Sequence, residues 1–171
     1  MKYIIFLSAI VISIGASSIN ESSPQNSTDL KEEAKEFSLS IVKSYFAEDC
    51  NKVYEVMSDS LLIMDGDGIL SKINIKDKLC SSVKQAIDNK SKTFKDYIKT
   101  YQIEILSASE LESKFDKKLP EYFKISDSDF FFLGFELKKD QEDYEDFIWD
   151  DMFLFMVSKE KKGWVMKGIS G

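Results

Sequence analysis

Residues 151–170, DMFLFMVSKEKKGWVMKGIS, decide how the chain is read. Apolar runs stand on either side of a lysine-rich break, one from Phe147 to Val157 and one from Trp164 to Ile169, each rich in aromatic and β-branched residues as strands are. The same texture recurs upstream, where Tyr101, Ile103 and Ile105 alternate with polar neighbours and Phe130 to Leu137 is a nearly continuous apolar run. Between these two, Ser109 to Asp116 and Pro120 to Phe123 read as a short helix and a turn. The C-terminal half is thus a succession of strands.

The N-terminal half has a different period. Leu30, Ala34, Phe37, Ile41 and Tyr45 recur at steps of three and four, with Asp29 and Glu32 spaced as a capping box, so an amphipathic helix is expected from Asp29. A short helix follows from Asn51 to Met57 and stops in the turn-forming Ser58-Asp59-Ser60. Leu61 to Met64 is a short strand, Asp65-Gly66-Asp67-Gly68 is turn chemistry, and Ile69 to Ile73 returns as a second strand. Asn74 then caps a third helix that runs to about Lys95, with Ile75, Leu79, Val83, Ala86 and Ile87 as its buried stripe. Helices followed by strands predict an α+β domain, its N-terminal helices packed against a curved, mainly antiparallel sheet.

The start of the chain sets the compartment. Lys2, the apolar run Tyr3 to Ile14 and the small exit Gly15-Ala16-Ser17-Ser18 form a signal peptide over residues 1–18. The run is shorter than the about 20 residues that span a bilayer. Residues 19–28 (INESSPQNST) read as a flexible tether, and 29–171 have the size of a single domain. An exported protein, periplasmic or secreted, with no membrane insertion after signal removal is expected. The net charge of −7 grows by one unit when Lys2 leaves, and phosphate backbones repel such a chain, so nucleic acid is not a partner.

The absences narrow the chemistry further. There is no histidine and every cation is lysine, which removes Ser-His-Asp and Cys-His catalysis, His-ligated zinc and bidentate guanidinium clamps. No cofactor is implied. Cys50 and Cys80 are the two thiols, and in an exported chain they are expected to pair, the alternative being two buried free thiols.

The stretch IVKSYFAEDCNKVYEVMSDSLLIMDGDGILSKINIKDKL, followed distantly by DMFLFMVSKEKKGWVMKGIS, resembles the nuclear transport factor 2-like superfamily, which includes ketosteroid isomerases and polyketide-cyclase-like proteins. Gly163-Trp164-Val165 matches a pattern common in the last strand of that family. The resemblance implies a cone, a bent sheet wrapped around the long helix with a pocket at the open end. Its members use the pocket for catalysis, small apolar ligands or partner proteins. In the isomerases a tyrosine on the first helix and an aspartate just after the first strand carry the reaction, and Tyr45 and Asp65 fall at roughly those places. The segment Ser107 to Asp129 is longer than the family's usual connection, and its Phe115, Leu119, Tyr122 and Phe123 are placed to cover or fill the pocket.

Several constellations compete with plainer readings. MDGDGIL, residues 64–70, fails as a calcium loop starting at Asp65, because Ile69, Leu70 and Lys76 stand where a ligand, a glycine and a glutamate are needed; no metal site is expected. A structural turn is the plainer reading of it. Residues 140–151, DQEDYEDFIWDD, place seven acids in twelve positions and read as a solvated hairpin tip, with divalent-cation binding as the sharper alternative. Asp150 and Asp151 are adjacent in a strand, so one of them points inward and is a candidate pocket acid unless a bulge frees both. Trp149, Phe153, Phe155 and Trp164 are candidate pocket-lining residues. Both sheet faces are apolar, as for a sheet covered by helices on one side and by a ligand, a lid or a second subunit on the other.

Three functions stay open. The first is a non-enzymatic exported binding or interaction domain with an apolar pocket for a small apolar molecule or a protein partner, as a monomer or a homodimer. The second is an isomerase- or lyase-like enzyme using Tyr45, Asp65 and Asp150 or Asp151. The third is an acidic inhibitor or immunity-type protein.

Overall fold

The first helix, α1 (Pro24–Phe46), includes residues 24–28 of the stretch read as a tether. The computed structural model describes residues 24–63, 68–76, 79–81, 93–119, 121–136 and 152–169. Asp49 accepts from the Lys52 amide to cap α2 (Cys50–Glu55), after which β1 (Met57–Ile63) begins at once. Ser58, Asp59 and Ser60 therefore lie in a strand and not in a turn. Met57 and Leu61 anchor β1 in the core on either side of them, and tertiary pairing overrides their local preference.

β2 (Ile69–Ser71) returns antiparallel to β1 and leads into α3, helical at 72–76 and 79–81, with Ile75 and Leu79 buried as their spacing implies. Val83, Ala86 and Ile87 lie outside the described residues. Thr93 is not helical; it caps a separate helix, α4 (Phe94–Thr100), through a reciprocal box with Asp96. β3 (Tyr101–Leu106), α5 (Ala108–Phe115), β4 (Asp129–Glu136), β5 (Met152–Glu160) and β6 (Gly163–Ile169) complete the chain. Ser107 and Glu110 form the second capping box, at the start of α5.

Among the described residues six strands form one open, curved sheet in the order β2-β1-β6-β5-β4-β3. Of the pairs among them, β1–β6 is parallel and the other four are antiparallel. The expected α+β architecture with a mainly antiparallel sheet is therefore the observed one. Cys50 and Cys80 are bonded, with their Cα atoms 5.1 Å apart, which ties the start of α2 to α3. No helix among the described residues is long and apolar enough to cross a membrane.

Strand alternation sorts the core into two layers. Against the helices lie Tyr101, Phe130, Phe132, Phe155, Val157 and Met166, packed with Ala34, Ile41 and Val42 of α1. On the opposite face Leu62, Phe131 and Met156 pack with Leu111, Phe115, Leu119, Phe123 and Ile125. The long connection thus covers the second apolar face with the chain's own residues, on the side away from α1, while Tyr122 stays exposed. A bulge at Lys167, between the rungs Met156–Gly168 and Val157–Met166, lets Trp164, Met166 and Ile169 all join the helix-side layer. The displaced Lys167 ammonium pairs at 3.0 Å with Asp129, whose side chain is 0 % exposed and also accepts from the Ser126 amide.

Candidate functional site

The C-terminal end of α1, the short helix α4 and the rungs where β3, β4 and β5 meet bring six aromatic side chains together. Phe46 lies 5.4 Å from Tyr97, Tyr97 lies 4.1 Å from Tyr101, and Phe153 presents its ring to Tyr97 at 5.4 Å and to Tyr45 at 6.0 Å, both edge to face. Phe94 closes the group against Phe46. Edge-to-face pairing sets the positive rim of one ring on the negative face of another, which fixes the ring angles and leaves an apolar, low-dielectric interior.

The local sequence explains the placement. The Thr93–Asp96 box fixes the start of α4 and puts Tyr97 on its inward side, fully buried. Opposite it β4 carries Gly134, where a Cβ would come within 1.9 Å of the Tyr97 hydroxyl. The missing side chain is the space into which the phenol reaches.

That hydroxyl is fully buried and has no hydrogen-bond partner among the described residues, and the same is true of the Ser38 hydroxyl on α1. Burial raises the Tyr97 phenol far above the ordinary tyrosine range, with the neighbouring Tyr101 adding to the effect. Burial also pushes Tyr45 up to about 12. Both phenols therefore stay protonated at neutral pH and can donate a hydrogen bond, but neither is poised to exchange a proton.

The sequence candidates distribute unevenly around this cluster. Tyr45 and Phe153 belong to it and touch. Phe155 lies deeper, stacked on Phe132 at 4.7 Å. Trp164 lies nearer the start of α1, stacked on Phe37 at 6.2 Å, with its indole N–H donating to Glu33. These two are packed parts of the helix-side layer. Asp65, Trp149, Asp150, Asp151 and the acidic stretch 140–151 lie outside the described residues.

Tyr97, Phe46 and Gly134 were not among the sequence candidates. The signal for Tyr97 was present in Thr93-x-x-Asp96, a start-of-helix pattern that places the tyrosine one residue further on. A hollow of about 520 Å³ lies elsewhere, between Leu30 and Lys31 of α1, the start of α5 and residues 125–130. Of its charged groups Lys31 pairs with Glu110 and Asp129 with Lys167, and Asp127 lines it as well. Among the described residues no cluster of acids and cysteines could hold a metal ion. No protein-family model matches the chain, and no curated protein is significantly similar to it.

Proposed function

We propose that the protein is an exported, non-enzymatic binding domain of the nuclear transport factor 2-like kind, and that its apolar interior takes a small uncharged molecule at the aromatic end of the sheet. The observation that carries this reading is the Tyr97 hydroxyl, a buried donor set among six aromatic rings and without an acceptor among the described residues. An unpaired buried hydroxyl costs about 1–3 kcal/mol, and a ligand oxygen accepting from it recovers that loss. Binding fits better than catalysis, because two phenols held protonated orient a ligand without moving its protons.

The order of elements supports the family reading: a long helix, a second helix, a strand pair, a third helix, then strands bent over the first helix. The signal-like start and the Cys50–Cys80 bond support export, since such bonds persist in oxidising compartments.

The test is titration of the purified mature protein with a neutral fluorescent naphthylamine probe, followed by competition with acetophenone and ethylbenzene. Saturable one-to-one binding displaced by either competitor is expected, and Tyr97→Phe should erase any preference for acetophenone, the competitor with an acceptor oxygen. A protein that takes up neither probe nor competitor contradicts the reading.

A further inference from the structure

We infer that the hollow between the N-terminal half of α1, the first turn of α5 and the turn leading into β4 is a binding site for a neutral sugar in its pyranose ring form. Its volume of about 520 Å³ falls within the about 300–1,000 Å³ of small-molecule sites. It lies far along α1 from the aromatic cluster: at about 1.5 Å per residue, Lys31 and Tyr45 stand about 21 Å apart on the helix axis. The two sites are separate, and either can fail without the other.

The bonds that fix the walls leave a defined set of groups free. On one side Glu110 is engaged at both oxygens, by Lys31 at 2.6 and 2.7 Å and by the Ser107 amide and hydroxyl at 2.7 and 2.9 Å. The single Ser107 hydroxyl proton is used there, so the proton in the 3.2 Å contact between Ser107 and Ser109 comes from Ser109, whose Oγ is left as an acceptor. On the other side the Ser126 amide donates to the buried Asp129 carboxylate at 2.8 Å, and the Asp129 amide donates back to the Ser126 carbonyl at 3.0 Å, which fixes the turn. The Ser126 and Ser128 hydroxyls share one proton across 3.0 Å and keep the other, so this pair donates or accepts as a ligand requires. Asp127 is exposed and makes no hydrogen bond among the described residues, so both its oxygens are open to the hollow that it lines.

These free groups define the ligand. Ser109 and Asp127 need donors, Lys31 keeps one N–H that needs an acceptor, and Ser126 takes either. Leu30, Ala108 and Ile125 add apolar lining. An anion would face Asp127 and Glu110, and a cation would face the Lys31 ammonium. An apolar molecule would strip water from the carboxylate and the hydroxyls without replacing its hydrogen bonds. A pyranose carries several hydroxyls that each donate and accept, set around a ring with apolar C–H edges, and it meets all of these demands at once.

The test is titration of the nitrogen-15-labelled mature protein with glucose, galactose and mannose and with their methyl glycosides, cyclohexanol serving as a six-membered ring with a single hydroxyl. At least one sugar should shift the amides of residues 107–110 and 125–130 saturably, with a dissociation constant of about 10 mM or below, while cyclohexanol does not. Asp127→Ala, at an exposed position, should weaken that binding about tenfold or more, and Ser109→Ala several-fold, with the signals of the helix-side core unchanged. Binding of a methyl glycoside together with its free sugar assigns the hollow to the end of a glycan; binding of the free sugar alone assigns it to a monosaccharide. No shift with any of these sugars at about 0.1 M, equal shifts with cyclohexanol, shifts confined to the aromatic cluster, or sugar binding untouched by Asp127→Ala would overturn the inference.

Discussion

The contact between Gly134 and Tyr97 allows a test in which two substitutions are each informative and their combination more so. A methyl group at Gly134 would stand 1.9 Å from the Tyr97 hydroxyl, but 3.1 Å from the ring carbon that carries it and 3.1 Å from Phe132. Overpacking a full core costs typically 1–3 kcal/mol, and a 1.9 Å approach lies beyond what small shifts absorb, so Gly134→Ala should destabilise by about 3 kcal/mol. Tyr97→Phe removes the clashing atom and an unpaired buried hydroxyl together, so alone it should be neutral or stabilising, within about 1 kcal/mol. With the hydroxyl gone the nearest atoms are the two at 3.1 Å, tight but tolerable after a small shift. The double variant should then lose only about 1 kcal/mol, a coupling of about 2 kcal/mol in favour of the pair. Urea unfolding followed by circular dichroism measures all four proteins without ligand, with the slope checked for constancy. Additive losses, with coupling below about 0.5 kcal/mol, would mean that the hydroxyl does not fill the glycine notch, and the geometry of the candidate site would be wrong.

Three further outcomes follow from the packing. Replacing both Cys50 and Cys80 by serine opens a loop 30 residues long and should lower stability by about 3–4 kcal/mol, read as a lower urea midpoint that reductant no longer changes. Lys167→Met leaves the buried Asp129 carboxylate without its cation and should cost about 3 kcal/mol at neutral pH, with part of the loss recovered in Asp129→Asn combined with Lys167→Met. Partial burial pushes Glu110 up, but hydrogen bonds from Lys31 and Ser107 outweigh it and hold the carboxyl below its usual value of 4.5. Its contribution is therefore present above that pH and is lost as the pH falls through the lower folded value; Glu110→Gln should flatten this acid limb in unfolding experiments at pH 3 to 6.

Much of the architecture was legible where one period persisted over many residues. The stripe of α1 and the alternation of Tyr101, Ile103 and Ile105 in β3 each repeat often enough to fix a face. The cysteine pair needed only its context. What stayed hidden depended on contacts distant in sequence. Ser58-Asp59-Ser60 carries turn chemistry, and only pairing of β1 with the last strand, more than a hundred residues on, makes it extended. The two apolar faces of β4 and β5 left a ligand, a lid or a second subunit open as the cover, and only the folded chain shows Leu111, Phe115, Leu119, Phe123 and Ile125 packed there.

The aromatic site was partly legible. Tyr45 and Phe153 are legible as candidates, whereas Tyr97 is not, because α4 has only seven residues in which to show a helical period. Its capping box was the stronger signal. Gly134 could not be read at all, since nothing local marks a glycine whose role is to admit a side chain from another element.

The central claim is that the mature protein holds a small uncharged molecule in its aromatic interior. Native mass spectrometry of the protein purified from the cells that make it tests it most directly. The account predicts a chain shortened by its first 18 residues, lighter by two hydrogens for the Cys50–Cys80 bond, and carrying one molecule of neutral ligand that Tyr97→Phe releases more readily. A chain that emerges empty from those cells, with the Tyr97→Phe protein identical to it, would contradict the account.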